Sequence, residues 1–458
     1  MNVFMLGWEF PPFISGGLGT ACQGLTRAMS LLGHRVIFVL PHDVAEQHAT
    51  HVKLLTPKTH ESARAAYAKF KINSLENVSF RSIPSTMRPY GLETGGVKTG
   101  GIEKTTVRSQ SIVADGETSV SFTKSEAGGE RTVAVPGTVR SPSGHYGGDM
   151  FEEVERYAAV AVEIARNETF EVIHAHDWMT FQAGIAVSRA SGKPLVVHVH
   201  STEFDRSGTR VNQPIYDIER RGVHTADRVI AVSHLTRNIL LARYSAPPER
   251  VEVVYNGISE DEETMQVPPP IRRDEKIVLF LGRITMQKGP EYFLAAAKKV
   301  LEYEKNVRFV MAGSGDMTRG IIEMAAEMGI GHRVVFTGFL RGPDVARVFK
   351  MADLYVMPSV SEPFGIAPLE ALSHDVPVLI SKQSGVSEVL THALKVDFWD
   401  IDEMANKIIA VLRHPPLQVT LRDHGNFEIK KFTWTDAASN CIGVYGRAIR
   451  DAGRRRAG

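Results

Sequence analysis

Residues 1–40 read MNVFMLGWEFPPFISGGLGTACQGLTRAMSLLGHRVIFVL, and this stretch decides the fold. Residues 3–6 are a short apolar run that reads as a strand. The Gly-rich turn Ser15-Gly16-Gly17-Leu18-Gly19 follows. Over residues 18–32 apolar side chains recur at helical spacing, with Leu25, Ala28, Met29 and Leu32 on one face. Gly33 is placed to stop that helix, and residues 35–40 form the next β-rich run. Strand, helix and strand in this order make a βαβ unit.

The rhythm continues. Further strands are expected over 172–175, 195–199, 228–232 and 251–255, with helical patterns between them. After Asn256-Gly257 comes an acidic, Pro-rich stretch with Glu260-Asp261-Glu262-Glu263 and Pro268-Pro269-Pro270, read as a linker. A second series then places strands over 277–281, 308–311, 334–337, 354–357 and 376–380. Buried β-rich runs joined by helices imply parallel sheets covered on both faces. The expected architecture is therefore α/β, with two facing Rossmann-like domains and a cleft between them. The first domain spans 1–262 and the second 275–432. A last helix over about 435–450 lies in the segment 433–458. Residues 91–148 break the pattern: they are rich in Gly, Ser and Thr, with possible hairpin strands over 105–113, 119–123 and 132–135. This insertion is either a flap that touches an acceptor or a surface insertion of the kind chains tolerate.

Bulk properties narrow the class. The chain has 458 residues, 43% hydrophobic and 23% charged, which suits two soluble domains. A net charge of +1 makes no electrostatic case for nucleic acid or an anionic membrane. The two cysteines, Cys22 and Cys441, exclude a disulfide framework or a thiolate metal site. The N-terminus reads as a strand and not a signal peptide, and no apolar run is long enough to span a membrane. A cytoplasmic enzyme is the default.

Four groups of residues point to chemistry. In Ser361-Glu362-Pro363-Phe364-Gly365-Ile366-Ala367-Pro368-Leu369-Glu370, two carboxylates sit eight positions apart, one on a loop and one on the helix it enters. They can hold the two ends of one ligand, with backbone N–H groups facing anything anionic between them. That suits a hexose, a diphosphate and a ribose. Arg283 and Lys288, on the loop after the first strand of the second domain, can clamp a diphosphate or be an ordinary basic loop. Gly16 and Gly17 allow either close approach of a phosphate or tight helix–strand packing. His174, His176, His198 and His200 end neighbouring strands, each pair on one face. They could suggest a metal, but no acidic ligands accompany them, so no metal is assigned. Asp149 precedes a helix and could be its N-cap.

The first of these runs resembles the E-x7-E motif of retaining glycosyltransferases with the GT-B fold, family 4 and its glycogen-synthase relatives. Arg283-Ile284-Thr285-Met286-Gln287-Lys288-Gly289 resembles the family's R-x4-K-G signature. His174-Ala175-His176-Asp177-Trp178 resembles the H-A-H-D-W run of glycogen and starch synthases, and Gly16-Gly17-Leu18-Gly19 their G-G-L-G segment. Ile14 stands where those synthases carry a Lys, which leans toward family 4.

The resemblance implies that Glu362 bonds the donor hexose and Glu370 the ribose, with backbone groups of Phe364, Gly365 and Ile366 at the phosphates. It also implies that His176 lies against the transferred sugar and that Arg283 and Lys288 neutralise the leaving diphosphate. Gly16, Gly17, Leu18, Gly315 and Phe339 complete the donor contacts, with Asp149 and His200 toward the acceptor. No cofactor is implied, because the nucleoside diphosphate sugar, ADP- or UDP-glucose, is a substrate. The expected reaction extends an α-glucan or oligosaccharide. One alternative is a family 4 transferase for a lipid, cell-wall, free-sugar or sugar-phosphate acceptor. An alternative of another class is a nucleotide-sugar epimerase or a non-catalytic binding protein.

Overall fold

A computed structural model describes residues 1–10, 17–41, 78–82, 109–114, 117–126, 129–134, 149–258 and 275–457. The expected linker's acidic run 260–263 and Pro run 268–270, and Ser15 and Gly16 of the expected Gly-rich turn, lie outside the described residues. The chain divides into two compact units, Met1–Thr86 with Val154–Gly458, and Met87–Glu153.

The larger unit holds two parallel sheets. In the first, β1 (Asn2–Leu6) leads through α1 (Gly17–Leu31) to β2 (Arg35–Leu40), and β3 (Val78–Ser82) extends its edge. In the smaller unit, β4 (Ser109–Ala114), β5 (Glu117–Glu126) and β6 (Gly129–Ala134) form an antiparallel sheet. The insertion thus carries strands where hairpins were expected. The chain continues through α2 (Asp149–Arg166), β7 (Val172–His176), α3 (Trp178–Ser191), β8 (Leu195–Val199), α4 (Glu203–Ser207) and α5 (Gln213–Thr225). It then runs through β9 (Arg228–Ala231), α6 (His234–Tyr244) and β10 (Val251–Val253). The first sheet has the order β10-β9-β8-β7-β1-β2-β3.

The second sheet begins with β11 (Lys276–Leu281), α7 (Pro290–Tyr303), β12 (Val307–Ala312), α8 (Thr318–Glu327) and β13 (Val334–Gly338). It continues with α9 (Pro343–Met351), β14 (Leu354–Met357), α10 (Ala367–Ser373), β15 (Val378–Ser381) and β16 (Leu394–Val396). Its order is β13-β12-β11-β14-β15-β16. Helices α11 (Ile401–Arg413), α12 (Pro415–Ile429) and α13 (Trp434–Ala457) follow.

Each sheet therefore has a point where strand order reverses, between β1 and β7 in one and between β11 and β14 in the other. Ligands of open α/β sheets bind outside the carboxyl ends of strands at such points. The sequence motifs fall at the same places. The Gly-rich turn follows β1 and His176 ends β7; Arg283 and Lys288 follow β11 and Glu362 follows β14.

Local chemistry explains the boundaries. Gly33 has φ +78, and the amides of Gly33 and His34 return to Ser30 and Met29, closing α1. The strand expected from 376 starts at Val378 instead. Val376 donates to Ala371 O at 3.0 Å as part of the turn leaving α10, and Pro377 has no N–H for the ladder.

Helix α13 packs against α1 and the first sheet. Trp434, Ala438, Cys441, Val444, Tyr445 and Ala448 are buried in the same core as Val3, Met5, Cys22, Leu25 and Met29. A Cβ on Gly24 would lie 2.2 Å from the Trp434 ring, so glycine there makes room for the indole. Among the described residues no helix is long and apolar enough to cross a membrane.

Candidate active site

The loops after β11 and β14 are bound to each other. Val360 N donates to Gln287 O at 2.9 Å, and Gly289 (φ +63) lies so close to Pro358 that a Cβ would meet its carbonyl at 2.3 Å. Across this junction the Lys288 ammonium donates to Glu362 Oε2, which also accepts from Ser359 Oγ at 3.2 Å. The Glu362 side chain is 9% exposed and that of Lys288 22%. Arg283 Nη2 reaches Gln287 Oε1 at 3.5 Å on the same loop. Two cations and the first carboxylate thus share one end of the second sheet.

The loop between the carboxylates is shaped for a turn. Gly365 takes φ +102, a conformation that favours glycine. Phe364 is buried, its ring 5.9 Å from that of Tyr255. Ile366 sits at the start of α10, and Glu370 is a half-buried carboxylate in its first turn. The Tyr355 phenol is held well above its usual range by burial and by the negative charges of Glu362 and Glu370. Both carboxylates therefore act on one buried ring.

Gly313 and Gly315 close the turn after β12 against the turn after β11. A Cβ on Gly313 would lie 1.8 Å from Gly282 O, and one on Gly315 2.2 Å from Ile284 O. Backbone packing alone thus accounts for glycine at 315. Phe339 is 39% exposed, with the Arg341 guanidinium 5.2 Å from its ring centroid.

In the first half, His174 and His176 on β7 and His198 on β8 share one face with His200, as their two-residue spacing requires. The rings of His174 and His176 stack at 4.2 Å and those of His198 and His200 at 4.1 Å. His176 Nδ1 pairs with His200 Nε2 at 2.9 Å, and His174 Nε2 with His198 Nδ1 at 3.2 Å. The other nitrogen of His174 pairs with the Tyr445 hydroxyl of α13. His176 Nε2 and His198 Nε2 are buried without a hydrogen-bond partner among the described residues.

Burial pushes all four imidazoles below their usual range, joined by like-charge repulsion from neighbouring rings at His174, His176 and His198; His174 and His200 fall to about 3. They are neutral at pH 7 and can give or take a hydrogen bond from a hydroxyl. Ligand nitrogens of His174, His176 and His198 lie within 4.8 Å of one another. Both nitrogens of His174 are already engaged, and stacked rings do not converge on one point as metal ligands must. Asp177, with φ 58, follows the stack, and its Oδ1 accepts from His200 N at 2.7 Å. Burial raises its carboxyl to about 7.

Gly16 lies outside the described residues. Gly17 opens α1 with no described atom within 4 Å of a would-be Cβ, so packing among the described residues does not explain that glycine. Leu18 packs on the first core. Asp149 opens α2, and its side chain is outside what is described. Sequence reasoning passed over Asp205 and Ser233, which reach the loop carrying Glu362 from across the chain, and Glu388, which reaches from the turn beside that loop to the start of α6.

Residues 261–426 match the family profile described as Glycosyl transferases group 1, and residues 120–262 match Glycosyltransferase Family 4. An uncharacterized glycosyltransferase of Methanocaldococcus jannaschii is 32% identical over 323 residues, covering 67% of this chain and 81% of that protein. A D-inositol 3-phosphate glycosyltransferase of Mycobacterium avium is 28% identical over 363 residues, 72% of this chain and 84% of that one. Sucrose-phosphate synthase from Thermosynechococcus elongatus superposes with a TM-score of 0.68 at 17% identity, over 98% of this chain and all of that one. The chain belongs to glycosyltransferase family 4. It is a nucleotide-sugar-dependent hexosyltransferase of GT-B fold.

Proposed function

We propose that the protein moves a hexose, glucose, with retention of configuration from ADP- or UDP-hexose to a hydroxyl of a small phosphorylated polyol or sugar. The observation that carries the donor side is the Lys288–Glu362 pair, which joins the loops after β11 and β14 at the switch point. In this reading Glu362 bonds the hexose hydroxyls and Glu370 the ribose. Arg283 and Lys288 face the diphosphate, with the backbone of Phe364, Gly365 and Ile366. Gly16, Gly17 and Leu18 cover the phosphates from the first half, while Gly315 and Phe339 border the nucleotide.

The chemistry follows from these charges. As the anomeric carbon–oxygen bond breaks, negative charge grows on the departing β-phosphate, where fixed cations lower the barrier most. The acceptor hydroxyl attacks from the same face, and its proton passes to the leaving phosphate oxygen. His176, neutral and with Nε2 unpartnered among the described residues, contacts the sugar. His200 faces the acceptor.

Support for a phosphorylated acceptor comes from the D-inositol 3-phosphate glycosyltransferases among the relatives. A second reading, extension of an α-glucan, rests on the His174–Trp178 run and its likeness to glycogen and starch synthases. The test is nucleoside diphosphate release from ADP-, UDP- and GDP-hexoses, each with inositol 3-phosphate, hexose phosphates or a malto-oligosaccharide. Release dependent on a phosphorylated acceptor, with the product seen by mass, supports the first reading. Chain lengthening replaces it with the second. No turnover or binding of any donor overturns both.

A further inference from the structure

Helix α6 belongs to the first half, yet its first turn grips the loop of the second that carries Glu362. Ser233, its N-cap, accepts from Thr236 N at 3.0 Å and donates its hydroxyl to Pro363 O at 2.5 Å. Thr236 Oγ1 reaches the same carbonyl at 3.4 Å. Both side chains are fully buried. Beside them, the carboxylate of Glu388 takes the amides of His234 at 2.9 Å and Leu235 at 2.6 Å, and the Tyr255 hydroxyl at 3.2 Å. These amides are the free donors of a helix start, and a carboxylate is their natural partner.

The two anchored segments are also zipped to each other. Glu362 N donates to Gln383 O at 2.9 Å, Gly385 N to Glu362 O at 2.9 Å, and Val386 N to Phe364 O at 2.7 Å. Gly385 is wedged between the anchors: a Cβ there would lie 2.2 Å from Pro363 O and 2.5 Å from Ser233 Cβ. Both peptide groups flanking Glu362, and the next carbonyl, are thereby held. Only side-chain torsions remain to the carboxylate that meets Lys288.

We propose that Ser233 and Glu388 are positioning residues: the start of α6 holds Pro363 and the 385–388 turn, and through them aims Glu362. The inference rests on the reading that Glu362 contacts the donor hexose. Its consequence is that the donor-side carboxylate is placed by the opposite half of the enzyme. Sub-ångström placement of such groups governs rate more than binding.

The test uses the full chain with Ser233→Ala, Ser233→Thr and Glu388→Gln. Amide hydrogen exchange is followed by mass spectrometry over residues 359–366 and 383–388, without ligand. Ser233→Ala and Glu388→Gln are expected to speed exchange there about tenfold, leaving β1, β7 and β11 as in the wild type. Ser233→Thr, which keeps the hydroxyl, restores protection. With UDP-glucose as probe, kcat should fall about tenfold with KM changed less than about twofold. Unchanged exchange over 359–366 overturns the proposal, whether or not UDP-glucose turns over. Faster exchange with kcat intact overturns it too, since the anchors would then hold the loop without aiming it. Glu388→Gln keeps the question decidable should Ser233→Ala fail to fold, because it leaves the helix cap in place.

Discussion

Ser361 Oγ donates to Asp205 Oδ1 at 2.6 Å, so the residue preceding Glu362 is hydrogen-bonded to a buried carboxylate of the first half. The other oxygen of Asp205 takes both the amide and the hydroxyl of Thr202 at 2.7 Å, a capping box at the start of α4. Asp205→Ala removes three bonds to a buried charge and is expected to cost about 2–4 kcal/mol. Urea unfolding monitored by circular dichroism measures it.

Lys288→Met leaves the nearly buried Glu362 carboxylate without its cation. The expected loss is about 10²–10³-fold in kcat/KM, comparable to removing a donor from an oxyanion site. Far-ultraviolet circular dichroism should remain that of the wild type, and Glu362→Gln should do the same. Full activity in both variants would remove these residues from the mechanism.

The histidine stack makes stability depend on pH. Folded imidazoles titrate far below the unfolded value near 6.5, so below pH 6.5 the unfolded chain binds more protons and stability falls as pH falls. Each ring contributes up to about 1.4 kcal/mol per pH unit. Asp177 and Glu219 oppose this, since their carboxyls are raised in the fold by burial and they bind protons there first. Four rings outweigh two carboxyls, so the urea midpoint should drop between pH 7 and pH 5. His198→Gln should flatten that drop by about one proton.

Gly313→Ala would force a Cβ into the carbonyl of Gly282 at a backbone φ of +142. The expected cost is above about 2 kcal/mol. Gly320→Ala, in α8 with nothing within 4 Å, should be neutral or stabilising. A thermal melt of the pair distinguishes them.

Most parallel strands could be read because each is a short β-rich run; β7, β8 and β14 are buried from end to end, the histidines of β7 and β8 included. Strands β3 (VSFRS) and β16 (LKV) escaped because each mixes polar with apolar residues at a sheet edge and forms no apolar run. Glu362 and Lys288 were legible because their neighbours form motifs. Ser233 and Glu388 were not: each is an ordinary polar residue whose partner lies at a sequence separation of 130 or 154. Nothing local marks such a contact. The pairing of Tyr445 with His174, 271 positions apart, was hidden for the same reason.

The seating of Trp434 in the space left by Gly24 has a consequence for how the enzyme is made. The first half emerges from the ribosome before α13 exists, and until then the groove on α1 is open to solvent. Its core stays unfinished until residues 434–448 have been synthesised. A nascent chain halted after Ile258 should therefore be more easily proteolysed across α1 than the full-length protein, and prone to stick to its neighbours.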